Sequence, residues 1–313
     1  MPSTARRDHV PTGGIWTWLK AALLPWLAVW AGAAEPAREI LVVRPDLPPF
    51  AEVAAALGRE LGPRYRLSEL LVGAEGGRTR IGELRPAVVV ALDNQGLAES
   101  RAVAPGLPVL AAMGLGLRQE SRNGGGVDYE VAPFTVLTRF QGNVAAPLGR
   151  VLAPCWADAK EDLELAAHQL SRAGISLEPV VLAKDGDPPT NTAAALARWL
   201  LTVEKSGAHA VLVPADNRLV NLRTLPDWRA AARRLKIPLL TTTEALVDRN
   251  LGLCAFAATP DPEGIAAQLA AQVQAVVEDG RPPAALGFEP PVTVRVVLDR
   301  MLLRRLGLGV REP

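Results

Sequence analysis

Short apolar runs alternate with amphipathic stretches along most of this chain, and each apolar run predicts a strand buried in a sheet. In the first half, the predicted strands are residues 40–43, 65–72, 87–92 and 108–112, and the predicted helix is residues 50–61. In the second half, the predicted strands are residues 150–153, 177–183, 210–213, 238–241 and 251–258. The predicted helices there are residues 157–173, 191–206, 225–235 and 261–278. The run at 87–92 has no polar position, which is typical of a parallel strand covered on both faces.

Because the alternation occurs twice, we predict two doubly wound parallel α/β lobes joined by a hinge. A length of 313 residues also exceeds what one compact core usually needs. We expect the first lobe at residues 35–145 with a returning helix at about 261–280, the second at 146–260, and a crossover segment at 281–313. The glycine-rich stretch at 123–126 follows no strand–helix unit, so we interpret it as a flexible loop.

The first 34 residues have the layout of a secretory signal peptide. Arg6, Arg7 and Lys20 precede an apolar run at residues 21–30, and small residues follow at 31–33. The alternative is an uncleaved membrane anchor, but the apolar run is about half of the roughly 20 residues that a spanning helix needs. No cysteine follows the run to carry a lipid anchor. We therefore predict a cleaved signal and a periplasmic protein.

Composition excludes a nucleic-acid partner and gives no disulfide framework. The chain has 34 basic and 33 acidic residues, a net charge of +1, whereas nucleic-acid binders carry a clustered basic surplus. Its two cysteines, Cys155 and Cys254, lie at or within apolar runs. Two buried free thiols are the favoured interpretation, and a disulfide remains the alternative because an exported protein meets an oxidising compartment.

The signatures of enzyme active sites are missing from the sequence. His9 lies in the signal, His168 within a predicted helix, and His209 directly before a strand. The chain has no zinc-protease, paired-cysteine or phosphate-loop motif. The acidic residues around Asp162 fit the solvated face of a helix better than a metal site. We predict that the protein is not an enzyme and needs no metal or cofactor.

Candidate ligand-binding residues follow the predicted strands, because ligands of open parallel sheets bind beyond the carboxyl ends of the strands. The candidates are Phe50, Asp93, Asn94, Trp156, Asp216, Asn217, Thr243 and Asp261. Each has a structural alternative. Asp93 and Asp216 suit helix capping, Phe50 and Trp156 suit packing at the hinge, and Thr243 suits a strand end.

The second half resembles a known family of ABC-transporter substrate-binding proteins. Residues 208–221 match the family's buried strand and its V-P-x-D-N-x-V turn. The family's later segments follow in order as Ile237-Pro238-Leu239, Gly252-Leu253-Cys254-Ala255, a helix at 260–278, Gly280-Arg281-Pro282-Pro283 and Leu306-Gly307-Leu308-Gly309. The resemblance covers roughly residues 149–313 and implies the type I periplasmic-binding fold.

The resemblance also implies a function. It indicates the periplasmic component of an ABC-type importer, which captures a small organic solute between its lobes and delivers it to an inner-membrane permease. We expect a monomer. A periplasmic sensor of the same fold, which presents its ligand to a membrane signalling protein, is the alternative that the sequence leaves open.

The first lobe departs from the family at its ligand turn. Where relatives carry a small Gly, Ser or Thr turn, this chain has Asp93 and Asn94, and the family's D-P-V segment is missing at 113–117. An aspartate would repel a ligand carboxylate that the helix amides otherwise hold. We therefore hypothesise that Asp93 favours a cationic or hydroxyl-rich solute.

Overall fold

The computed structural model describes residues 37–121, 124–184 and 186–311. The predicted signal peptide lies outside these residues. Within them, no helix combines the length and the apolar character that crossing a bilayer requires.

Fourteen strands are present in the described chain. They are β1 Arg38–Arg44, β2 Tyr65–Leu71, β3 Val88–Leu92, β4 Val109–Ala112, β5 Gly125–Val127, β6 Val144–Ala145, β7 Arg150–Trp156, β8 Ser176–Ala183, β9 Ala210–Val213, β10 Leu239–Thr241, β11 Phe256–Pro260, β12 Phe288–Glu289, β13 Val294–Leu298 and β14 Gly309–Val310.

Eleven α-helices connect or cover these strands in the same described ranges. They are α1 Pro48–Leu61, α2 Gly77–Leu84, α3 Asp93–Val103, α4 Leu117–Glu120, α5 Pro133–Asn143, α6 Lys160–Ser171, α7 Pro189–Val203, α8 Leu225–Arg234, α9 Pro262–Val277, α10 Pro283–Leu286 and α11 Arg300–Arg305.

The two main sheets have the same strand order, which confirms the predicted fold class. The first sheet is ordered β12-β5-β4-β3-β1-β2 and the second β13-β11-β10-β9-β7-β8. Within each sheet all pairs are parallel except β11 with β13, which is antiparallel. The carboxyl ends of the parallel strands therefore share one edge of each sheet.

The first sheet is buried on both faces because successive side chains of a strand point in opposite directions. Ile40 and Val42 of β1 pack in one core with α1 and α9, whereas Leu41 and Val43 face a second core containing Ile81 of α2. This two-sided burial explains the unbroken apolar runs in the sequence.

The second sheet is also covered on both faces. On one face, Phe140 of α5 meets Phe256 of β11 edge to face, with ring centroids 5.3 Å apart. On the other face, Trp228 of α8 is fully buried and lies 6.3 Å from the ring of Trp199 on α7. These aromatic contacts fix the helices against the strands.

The chain crosses between the lobes at three places, after β5, after β11 and after β12. The crossings are hydrogen-bonded to each other: Asp128 N–H donates to Glu289 O at 2.8 Å, and Asp261 N–H to Thr293 O at 3.1 Å. The hydroxyl of Tyr129 lies 3.3 Å from Thr259 Oγ1. Three adjacent crossings form a narrow hinge.

The glycine-rich stretch differs from its interpretation as a flexible loop, because Gly125–Val127 is strand β5 of the first sheet. A Cβ on Gly125 would lie 2.4 Å from Pro283 O, and one on Gly126 would lie 1.8 Å from Ala111 O. Gly126 also has φ +147. The glycines therefore permit close backbone packing.

Three further predictions are corrected. The strand expected at 251–258 begins only at Phe256, since Gly252 turns with φ +55 and the following residues pack as a loop. The helix expected from residue 157 starts at Lys160, after one 3₁₀ turn. Helix α5, which we expected within the first lobe, packs its Phe140 into the core of the second sheet.

Candidate functional site

A cavity of about 380 Å³ lies between the two lobes. From the first lobe and the first crossing, its lining residues are Leu115, Gly116, Glu130, Val131 and Pro133. From the second lobe they are Ala153, Pro154, Cys155, Asp158, Ala159, Asp162, Leu163, Leu212, Val213, Pro214, Ala215, Asp216, Asn217, Arg218 and Thr242. The volume is within the range of small-molecule sites.

The position of the cavity follows from the sheet topology. Its walls come from the ends of β7, β9 and β10, and from the segments after β4 and β5. All are carboxyl ends of parallel strands, where open α/β sheets bind ligands. The fold thus brings together chain segments that are far apart in sequence.

One guanidinium group organises the second-lobe wall. Arg218 Nη1 and Nη2 donate to the two carboxylate oxygens of Asp158 at 2.9 and 3.1 Å. Arg218 Nε and Nη2 also donate to Asp216 Oδ1 and Oδ2 at 3.0 and 2.8 Å. The guanidinium carbon lies 4.4 Å from the ring centroid of Trp156, in cation–π contact. Arg218 is thereby held between two carboxylates and an indole ring.

This arrangement shifts the pKa values of Asp158 and Arg218. The hydrogen bonds from Arg218 lower the pKa of Asp158 below its usual range. The hydrogen bonds to Asp216 and Asp158 raise the pKa of Arg218 in turn. Asp158 and Arg218 are therefore both charged at neutral pH.

A further acidic residue, Glu130 on the first crossing, also lines the cavity. Burial raises the pKa of Glu130, and the neighbouring charges of Asp128 and Asp162 raise it further. The backbone N–H of Gly116 and the charge of Arg118 act in the opposite direction. Glu130 thus lies in a region of negative potential.

Apart from the carboxylate of Asp162, the other lining side chains are neither acidic carboxylates nor basic groups. Burial raises the pKa of the Cys155 thiol, so this thiol stays protonated at neutral pH. Both Cys155 and Cys254 are buried and free. Among the described residues, no three His, Cys, Asp or Glu side chains converge in a way that could hold a metal ion.

Of the predicted site residues, Asp216 and Asn217 line the cavity. Asp93 does not: it has φ +77, and its carboxylate accepts the N–H of Gln95 at the start of α3. The side-chain amide of Asn94 donates to Leu115 O at 2.8 Å and accepts the N–H of Leu115 at 2.9 Å. Asn94 therefore positions a lining residue instead of lining the cavity itself.

The remaining predicted residues have structural contacts outside the cavity lining. Phe50 packs against the first core, and Trp156 is buried beneath Arg218. Thr243 precedes a 3₁₀ turn, while its neighbour Thr242 lines the cavity. Asp261 caps α9 by accepting the N–H of Gly264 at 3.2 Å.

Sequence reasoning missed Glu130, Asp158, Asp162 and Arg218 as site residues. Glu130 follows β5, a strand that was not predicted because it lies in the glycine-rich stretch. Asp162 has the spacing of a solvated helix face, and nothing in the local sequence indicates that it lines the same cavity as Glu130. Arg218 alone carried a usable signal, since it lies within the recognised strand-and-turn segment.

Two doubly wound sheets of identical strand order, three crossings and a cavity at the strand ends define the type I periplasmic-binding-protein fold. Solved structures share it. A ligand-free, open substrate-binding protein with adhesive properties from Clostridium difficile superposes with a TM-score of 0.63 at 10% identity. An ABC domain in complex with L-Trp from Streptococcus pneumonia gives a TM-score of 0.54 at 15% identity.

A conserved domain protein from Vibrio cholerae also gives a TM-score of 0.54 at 15% identity. In all three comparisons the match covers 88% of this chain and 96% of the other. No family model and no curated protein matches the sequence. The expected type I fold is confirmed, and at these identities the likeness establishes the fold alone.

Proposed function

We propose that this protein is the periplasmic solute-binding component of an ABC-type importer. It captures a small organic solute in the cleft between its lobes and presents it to an inner-membrane permease. Residues 1–34 direct export and are then removed. The protein carries out no chemical reaction on its solute.

The observation that carries the proposal is the cavity at the carboxyl ends of both sheets, beside a three-crossing hinge. A hinge of this kind lets two rigid lobes close around a ligand. The cavity has apolar walls and a few convergent polar groups, which is the usual character of a small-molecule site. Two of the sequence-predicted residues, Asp216 and Asn217, lie on its wall.

Native mass spectrometry of freshly purified protein tests the binding role. We expect an adduct of small mass that is lost on unfolding, because a closed cleft retains its solute through purification. The matched variant Asn217→Trp places a large side chain in the cavity and should lose the adduct while keeping the same melting temperature within a few degrees. The proposal would be contradicted if no adduct were found and calorimetry detected no binding of any member of a broad panel of solutes.

Solute uptake tests the importer role. Cells lacking this protein should lose high-affinity uptake of the retained solute, and the full-length chain should restore it. A chain that lacks residues 1–34 should fail to restore uptake, because it is not exported. Normal uptake in the deletion strain, with a lost transcriptional response to the solute, would instead favour the sensor.

A further inference from the structure

The charges that line the cavity are unbalanced. Among its described lining residues, the acidic side chains are Glu130, Asp158, Asp162 and Asp216, and the basic side chain is Arg218. Charges in a cleft with low-dielectric walls reinforce one another, since field lines are focused between the walls. The cavity therefore presents a negative potential to a solute.

Arg218 is not available to bind an anionic solute. Its guanidinium already donates to both carboxylate oxygens of Asp158 and of Asp216, at 2.8–3.1 Å. Breaking these bonds would leave two carboxylates unpaired, which is costly. A solute carboxylate or phosphate thus meets no free cation on the described walls.

Glu130 and Asp162, by contrast, have no basic side chain within 4.0 Å in the described part of the chain. Arg118, the basic residue whose charge acts on Glu130, is paired with Asp128 at 2.7 Å. Glu130 lies on the first crossing, whereas Asp162 lies on α6 of the second lobe. Both carboxylates line the cavity, and the like charge of Asp162 is one of the causes that raise the pKa of Glu130.

The rest of the wall is largely apolar. Its larger apolar members are Leu115, Val131, Pro133, Pro154, Leu163, Leu212 and Val213, and the others include Ala153, Ala159, Pro214 and Ala215. Such walls stabilise an apolar solute body through burial of its surface.

Resting on the proposed function, we propose that the solute is a small organic amine, whose ammonium group binds between Glu130 and Asp162 and whose apolar body lies on the aliphatic wall. A cation at this point offsets the repulsion between the two carboxylates.

Matched probe sets test this assignment by calorimetry on unfolded-and-refolded, solute-free protein. Each set consists of three compounds that share one apolar body and differ in the polar group, which is an amine, an amide or a carboxylate. The first set is phenethylamine, 3-phenylpropionamide and 3-phenylpropionate. The other two sets are the cyclohexylethyl and butyl equivalents. We expect the amine of at least one set to bind on the order of tenfold or more tightly than its amide. Equal or tighter binding of the amide or carboxylate, or no binding of any amine at millimolar concentration, would overturn it.

Two isosteric variants locate the ammonium group. Glu130→Gln and Asp162→Asn should each weaken amine binding about tenfold, the loss expected for one charge-assisted hydrogen bond. The control Glu161→Gln removes a charge from the neighbouring position of α6, which does not line the cavity, and should leave affinity within about twofold. Unchanged amine affinity in both cavity variants would overturn the assignment.

The probe experiment and native mass spectrometry separate the two proposals. A retained sugar, carboxylic acid or other solute without an ammonium group would overturn the amine assignment and leave the solute-binding function standing. The absence of any retained or added solute would overturn the binding function as well.

Discussion

Arg218 is the residue on which most cavity contacts converge, and its removal should destabilise the protein. Arg218→Ala leaves Asp158 and Asp216 without their shared partner and uncovers Trp156. We expect a loss of about 1–2 kcal/mol in the free energy of unfolding at neutral pH, measured in urea. The control Arg223→Ala removes an exposed arginine of the same segment and should cost almost nothing.

The pH dependence of that loss has a defined sign. Arg218 lowers the pKa of Asp158 in the folded state, below its ordinary value of 3.8. The resulting stability is present above this ordinary value and is lost as pH falls through the folded pKa. The gap between wild type and Arg218→Ala should therefore narrow in acid, and a gap that widens there would contradict the ion-pair explanation.

Glu130 should show the opposite behaviour. Its pKa is raised above 4.5, so ionising it costs more in the folded state than in the unfolded state. The cost applies above the folded pKa and disappears as pH falls below 4.5. Glu130→Gln should thus stabilise the solute-free protein at neutral pH by less than about 1 kcal/mol, and not in acid.

Thermal melts across pH measure this difference directly. The groups facing Glu130 are Asp128, Asp162, Arg118 and the backbone N–H of Gly116, and the variant keeps all of them. Glu161→Gln is again the control, as it removes a charge outside the cavity. Lower stability of Glu130→Gln at neutral pH would show that Glu130 contributes structure instead of binding capacity.

At the scale of elements, glycines set how closely helices approach the sheets. A Cβ on Gly96 of α3 would lie 2.7 Å from Val43 O in β1. Gly96→Ala should therefore cost about 1–3 kcal/mol through overpacking. Gly142→Ala in α5 is the matched control, since a Cβ there meets nothing within 4 Å. It should stabilise the protein by up to about 1 kcal/mol.

Urea denaturation measures both changes in the free energy of unfolding, and we expect the m values to be unchanged. Equal changes in the two alanine variants would show that helix propensity, not the contact with β1, decides the cost at Gly96.

At the scale of the whole molecule, one ion-pair network joins the lobes beside the hinge. Arg295 of β13 contacts Glu244 of the second lobe at 2.6 Å and Glu52 of α1 in the first lobe at 3.7 Å. Glu52→Gln should destabilise the arrangement of the lobes in which this pair forms by less than about 1 kcal/mol, which is at most about fivefold in population.

Small-angle scattering of the solute-free protein should report a larger radius of gyration for Glu52→Gln. The control Glu263→Gln removes the 2.6 Å pair between Glu263 and Arg59, which joins α1 to α9 within the first lobe. It should leave the radius unchanged. An equal response in both variants would exclude a specific role for the inter-lobe pair.

The sequence by itself determined nine of the fourteen strands, five of the eleven α-helices and the doubly wound class of the described chain. These depend on local periodicity and on two-sided burial of runs such as Val88–Leu92. Tertiary structure alone decided the site. Arg218 meets Asp158 across 60 positions, and Glu130 of the first crossing lines the same cavity as Asp162 of α6. It also decided the role of Gly125 and Gly126, whose close backbone approaches involve Pro283 and Ala111. Contacts between distant segments depend on the relative placement of whole elements, which local periodicity does not encode.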